Sequence, residues 1–216
     1  LAVKGYVVTV YETNAYPGGK LSEIVFDGFR FDAGPSLFTM PELVEELFTL
    51  AGQDPAAAFP YERLDHLCTY YFGDGTRLEA KADIDTFCKE AAKQTGVDAD
   101  AVRKHLKRSR FIYETTAHLF LERSLHKLSS YLRLQTLQSV LRLPFLGIFT
   151  TMDRANQKAL GNAKMRQLFN RYATYNGSDP FRAPGILNII PHLEFSKGAF
   201  LPKEGMHAIT RAIYTL

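Results

Sequence analysis

The stretch that most constrains this chain is its first 22 residues, LAVKGYVVTVYETNAYPGGKLS. Tyr6, Val7, Val8, Thr9, Val10 and Tyr11 form a β-branched and aromatic run with Gly5 before it and Asn14, Pro17, Gly18 and Gly19 after it. That pattern predicts a buried strand over 6–11, closed by Glu12 and followed by a short loop into a Gly-Gly turn. Two adjacent glycines let the backbone of such a turn approach a bulky anionic ligand closely, and Lys20 stands where it can face a phosphate.

A carboxylate at the C-terminal end of a strand has a further use in dinucleotide-binding α/β folds, where it accepts hydrogen bonds from ribose hydroxyls. Leu1, Gly5, Glu12, Gly18, Gly19 and Ser22 fall in register with a known pattern, with Lys20 where arginine is usual. In these residues the segment resembles the second half of the dinucleotide-binding signature of the flavin-dependent amine oxidase and carotenoid desaturase superfamily. The resemblance implies an FAD cofactor, with Glu12, Gly18, Gly19 and Lys20 among the residues that hold it. The Gly-x-Gly-x-x-Gly turn of that signature belongs just upstream of Leu1 and occurs nowhere in the sequence. The chain is therefore read as an internal fragment of a longer, phytoene-type desaturase, inactive as given.

Downstream, Ser22–Phe26 and Phe29–Asp32 flank Asp27-Gly28, a strong hairpin signal. Phe31 to Ser36 then reads Phe-Asp-Ala-Gly-Pro-Ser. This is similar to the carotenoid desaturase segment whose backbone lies near the flavin ring, so the resemblance adds Gly34, Pro35 and Ser36 to the cofactor set. Pro41–Gly52 predicts a helix with proline and acid in its first turn and a glycine stop. Tyr61–Ala80 predicts a second hairpin turning at Gly73-Asp74-Gly75, and Asp83–Gly96 a capped helix with Phe87 and Ala91 inward. Asp98 opens a long helical region. Arg103, Lys104, Lys107, Arg108 and Arg110 crowd its start, and leucines recur through 121–152 beside further arginines and lysines. Basic amphipathic helices around 103–149 predict contact with a membrane surface; a soluble helical lid with solvated charges is the competing reading.

Asp153–Asn176 predicts another helix. The segments Tyr172 to Pro180, Ala183 to Glu194 and Gly198 to Met206 again resemble carotenoid desaturase motifs, with Glu204 in place of the first of two paired glycines and Leu201 in place of an aromatic. The resemblance implies a tunnel for a lipophilic carotenoid, and Tyr172, Tyr175, His192 and Phe200 are the candidate lining residues. His192 and Glu194, two apart on a predicted strand, would share one face and could assist proton removal; a packed histidine is the alternative. Met206–Leu216 predicts a closing helix.

Composition excludes several classes. With 216 residues and 46% hydrophobic content the chain can bury a sizeable core, and a net charge of +3 is too small to argue for nucleic acid. Cys68 and Cys88 lack metal-ligand spacing, as do the histidines, so no metal is expected. No apolar run reaches the roughly 18 residues of a spanning helix. The expected architecture is α/β: an incomplete Rossmann-like FAD-binding domain over 1–60, a mixed, largely helical substrate and membrane-associating domain over 61–201, and a return toward the first domain over 202–216. The resemblance implies dehydrogenation of a carotenoid such as phytoene, or 3,4-desaturation of a hydroxycarotenoid, with hydride passing to FAD, by a cytoplasmic enzyme at the membrane periphery. A carotenoid isomerase or saturase, an amine oxidase, and a non-catalytic membrane-associating fragment stay open as alternatives.

Overall fold

The computed structural model describes residues 1–120 and 142–216. In chain order its elements are β1 (Glu23–Phe26), β2 (Phe29–Asp32), α1 (Glu42–Leu50), α2 (Pro55–Ala58), β3 (Tyr61–Arg63), β4 (His66–Tyr71) and β5 (Arg77–Lys81). There follow α3 (Ile84–Thr95), α4 (Ala99–Phe120), α5 (Met152–Leu160), α6 (Ala163–Asn170), β6 (Phe200–Pro202) and α7 (His207–Thr215). Helices and small sheets make this an α/β protein. The chain divides into two compact units, one of Leu1–Leu64 with Lys197–Leu216 and the other of Asp65–Ser196.

The first unit is held by short antiparallel ladders. β1 and β2 pair through the Asp27-Gly28 turn, where both residues take positive φ as a tight hairpin requires. β3 pairs with β6, Tyr61 opposite Pro202. That pairing draws 61–64 and 197–201 into this unit, where the sequence placed the boundaries at 60 and 201. It also means that Tyr61–Ala80 is not one hairpin: only β4 and β5 form it, in the second unit. Phe38, Phe48, Phe59, Met206, Ile209 and Ala212 form the core here. Tyr61 stacks edge-on against Phe38 and Phe200 at 5.7 and 5.4 Å, geometry that adds to simple area burial.

The predicted strand at 6–11 is absent. Ala2–Lys4 form a single 3₁₀ turn ending at Gly5, and the following run enters no ladder; Val7 is 100% and Tyr11 93% exposed. Its β-branched residues favour a pleated surface, but a strand needs a partner to take its N–H and C=O groups. Among the described residues every ladder is antiparallel and two-stranded, and none runs beside 6–11.

In the second unit the β4–β5 hairpin packs on a helical cluster. α3 follows the sequence signals: Asp83 accepts the Thr86 N–H at 2.8 Å as N-cap, Gly96 closes the helix in the left-handed region, and Phe87, Cys88 and Ala91 point inward. α4 buries a stripe of Val102, His105, Leu106, Ser109 and Ile112 at helical spacing, leaving Lys104, Lys107, Arg108 and Arg110 outside. The helix predicted over 153–176 is three pieces. Gly161 takes positive φ after α5, Asn162 caps α6 by accepting the Met165 N–H, and Arg171–Asn176 continue as a 3₁₀ segment. Leucines 125, 128, 132, 134 and 137 and Arg123, Lys127 and Arg133, on which the amphipathic reading rested, lie outside the described residues. No described helix is long and apolar enough to cross a membrane.

His105 sits in this core edge-on to Phe169 at 4.5 Å, and neither ring nitrogen has a hydrogen-bond partner among the described residues. Burial, helped by Arg108, pulls its pKa from an ordinary 6.5 to about 4. The native state thus disfavours the proton that the unfolded chain accepts, so this stabilisation is complete above about pH 6.5 and is lost as the pH falls toward 4. Urea titrations of His105→Leu should show a shallower loss of stability across that window than the parent, by on the order of 3 kcal/mol at most; parallel curves would contradict the assignment.

Candidate functional site

The first unit carries an open cleft of about 760 Å³. One wall is the strip from Val10 to Gly18, including Glu12, Asn14 and Tyr16; the other is the α7 face bearing Thr210, Ile213 and Tyr214. Glu12 reaches the cleft although the strand before it does not form. Its Oε1 accepts both the backbone N–H of Asn14, at 2.9 Å, and the Asn14 side-chain amide, at 3.0 Å, which fixes the carboxylate at the rim.

The Gly-Gly turn is bound to this geometry by sterics. Gly18 has φ +108, and a Cβ there would meet the Thr210 side chain at 2.7 Å and the Leu21 carbonyl at 2.8 Å. Gly19 follows at φ 56, and Leu21 N–H closes the turn on the Gly18 carbonyl. A Cβ on Gly34 would lie 1.8 Å from the Lys20 carbonyl, so the Gly34 backbone can rest on the Lys20 peptide only because it has no side chain. The Ala33 N–H bonds the Ser22 carbonyl beside it. Gly18 lines one cleft with Glu12, and the turn it begins runs through Gly19 to Lys20, on whose peptide Gly34 rests, with Pro35 and Ser36 continuing in an exposed loop. A carboxylate to accept hydroxyl donors, a turn shaped by missing side chains and a lysine beside it are a donor set that fits a nucleotide's ribose and phosphates.

The substrate candidates are arranged differently. Phe200 belongs to the first unit's aromatic core. Tyr172 and Tyr175 lie in the second unit, around the carboxylate of Glu194, which is 2% exposed. Tyr172 donates its hydroxyl to Oε2 at 2.8 Å and Tyr175 donates to Oε1. The Arg171 guanidinium lies 3.3 Å from Oε2, donates to the Tyr70 hydroxyl at 3.1 Å, and covers the Tyr70 and Tyr172 rings at 5.6 and 4.5 Å. Burial, then the Glu194 charge, pushes Tyr172 and Tyr175 well above the ordinary tyrosine range. Tyr70 rises to about 12 through burial, with Arg171 opposing. These hydroxyls therefore stay protonated; those of Tyr172 and Tyr175 donate to the carboxylate, and that of Tyr70 accepts from Arg171. The group is a compensated ion pair that ties the Arg171–Asn176 segment to the turn bearing Glu194.

His192 and Glu194 do not share a strand face. Gly185–Ile189 wind as 3₁₀, Ile190–His192 as one α-turn and Leu193–Lys197 as a π-turn, because a short apolar run carries no period that separates strand from helix. Two positions apart on a helical path point to different sides. The buried His192 ring lies 4.8 Å from Tyr113, and its backbone N–H bonds Ser109 Oγ at 3.0 Å. The Arg171–Glu194 pair and the α7 wall of the cleft were not singled out from sequence. Arg171 beside Tyr172, with Tyr175 three positions on, was the only local sign of the pair.

An α/β protein whose cleft combines a rim carboxylate with a glycine turn is of the nucleotide-cofactor-binding class. The sequence profile of the flavin containing amine oxidoreductases matches residues 1–215, and the chain belongs to that family, whose cofactor is a flavin. It is 47% identical over its whole length to a 1-hydroxycarotenoid 3,4-desaturase of Flavobacterium sp. (strain P99-3), covering 44% of that protein. It is 29% identical to a 4,4'-diapolycopene oxygenase of Methylomonas sp. and 28% to a 4,4'-diaponeurosporene oxygenase of Staphylococcus aureus (strain Mu50 / ATCC 700699), covering 43% of each. The chain thus spans less than half the length of the curated relatives it matches.

Glu194→Gln should destabilise the protein by about 2 kcal/mol in urea titrations, because the amide leaves one of the two tyrosine hydroxyls facing an N–H instead of an acceptor and removes the charge partner of Arg171 while leaving the volume unchanged. An unchanged midpoint would show the pair to be dispensable.

Proposed function

We propose that this chain is the cofactor- and substrate-handling part of an FAD-dependent desaturase that introduces double bonds into a carotenoid, with 3,4-desaturation of a hydroxycarotenoid favoured over phytoene. The observation that carries the reading is the cleft shared by Glu12 and Gly18, the first glycine of the Gly18-Gly19-Lys20 turn. The favoured substrate rests on the 47% identical relative, a 1-hydroxycarotenoid 3,4-desaturase.

In this reading Glu12 holds the ribose hydroxyls, the Gly18, Gly19 and Lys20 peptides approach the phosphates, and Gly34, Pro35 and Ser36 border the ring. Residues 6–11 enter no ladder here, and in this reading they join a Rossmann-like sheet only with partner strands that the described residues do not supply. A bound flavin supplies hydride-accepting chemistry, which accounts for a site built from positioning groups without a nucleophile. The second unit serves the lipophilic substrate. There Phe145 and Phe149 are 65% and 83% exposed, the Arg108 guanidinium bonds the Phe145 carbonyl at 2.9 Å, and Arg142 lies over Phe111 at 6.0 Å. Exposed phenylalanines ringed by cations suit the headgroup layer of an anionic membrane.

Titration with FAD, followed by quenching of flavin fluorescence, tests the cofactor site. Glu12→Ala should raise Kd about 10- to 100-fold, the value of one or two hydrogen bonds to a charged acceptor. Incubation with a hydroxycarotenoid and with phytoene, read as a red shift of pigment absorption, tests the substrate. Equal Kd values, or unchanged pigment with bound flavin, would reject the respective part.

A further inference from the structure

We infer that His207 is a positioning residue for the cofactor turn, the side chain that fixes where Pro17 and Gly18 sit; this rests on the cleft being the flavin site. His207 opens α7, and its side chain is 8% exposed. Its Nε2 lies 3.2 Å from the Pro17 carbonyl. A carbonyl only accepts, so Nε2 carries the proton and the tautomer is set by the turn. On the other side of the ring Nδ1 lies 3.5 Å from Glu23 Oε1, a contact that attracts when the imidazole carries a proton on both nitrogens. Glu23 is itself held by Arg211 at 2.8 Å. Burial raises the Glu23 carboxyl, but the Arg211 and His207 contacts outweigh it and keep the group below the usual range. Tyr16 packs edge-on against the imidazole at 6.1 Å.

The ring is therefore braced by a loop aromatic, a β1 carboxylate and the turn's own backbone. One helical turn further, Thr210 closes on Gly18, and Ile213 and Tyr214 continue the same α7 face into the cleft. The foundation of α7 is equally fixed: Asp32 Oδ1 accepts the Met206 N–H at 3.0 Å and is paired with Arg30 at 2.7 Å. Arg30 in turn fills the space a Cβ on Gly205 would need. The position of the Gly18, Gly19 and Lys20 peptides thus follows from a rigid helix through one imidazole.

The test compares amide hydrogen exchange at Leu21, whose N–H closes the turn on the Gly18 carbonyl, in flavin-free protein for the parent, His207→Met and His207→Gln. Met fills the space without a donor; Gln restores an N–H. Met should speed exchange there about tenfold with Leu78 in the second unit unchanged, and Gln should recover most of the protection. Equal exchange in Met and Gln variants would overturn the assignment. Long-range ¹H–¹⁵N spectra of the parent provide a measurement independent of any variant: a protonated Nε2 is expected, and an Nδ1-only tautomer would overturn the proposal. FAD titration of the same proteins should then give a Kd at least fivefold weaker for Met. A parent that binds no flavin would defeat the functional reading, while the exchange result would still decide the role of His207.

Discussion

The contact on which the first unit's cleft depends is the packing of α7 against a turn that has no side chains of its own. Gly18 touches Thr210 and Gly34 touches the Lys20 peptide at distances that exclude even a methyl group. Close backbone approach of this kind leaves N–H groups exposed to a ligand without intervening bulk. Glu12 is set beside that turn by its two hydrogen bonds from Asn14, and the Gly34 backbone rests on the Lys20 peptide.

The second unit solves a different problem with a buried ion pair. Glu194 gives up its solvation to be enclosed by Tyr172, Tyr175 and a half-buried Arg171, and the two tyrosine hydroxyls and the guanidinium, itself stacked on Tyr70 and Tyr172, recover part of that cost. Such a cluster specifies one arrangement of the 3₁₀ segment and the π-turn, since any slip would leave a charge unpaired. Family membership and the 47% identical relative attach this architecture to flavin oxidoreductases.

Legibility in sequence followed the range of the interactions. The β1–β2 hairpin, α1, α3 and α7 were readable because their signals are local: Asp27-Gly28, Pro41 with Glu42, Asp83 with Gly96, and the apolar face after Met206. Glu12 and the paired glycines were readable as a motif. The segment 6–11 was misread because β propensity says nothing about whether a partner strand is present. The 153–176 helix was misread because the Gly161-Asn162 stop and cap were passed over, and 185–197 because four apolar residues fit either period. Glu194 and His207 owe their surroundings to residues 22 and 190 positions away, which no local window contains.

In the proposed site the flavin's phosphates and ribose lie against Glu12 and the glycine turn. Amide chemical-shift mapping of ¹⁵N-labelled protein during addition of FAD tests that placement directly. Shifts concentrated at Glu12, Gly18, Gly19, Lys20 and Gly34 are the expected result. Binding that leaves these amides unmoved and shifts another surface would contradict it.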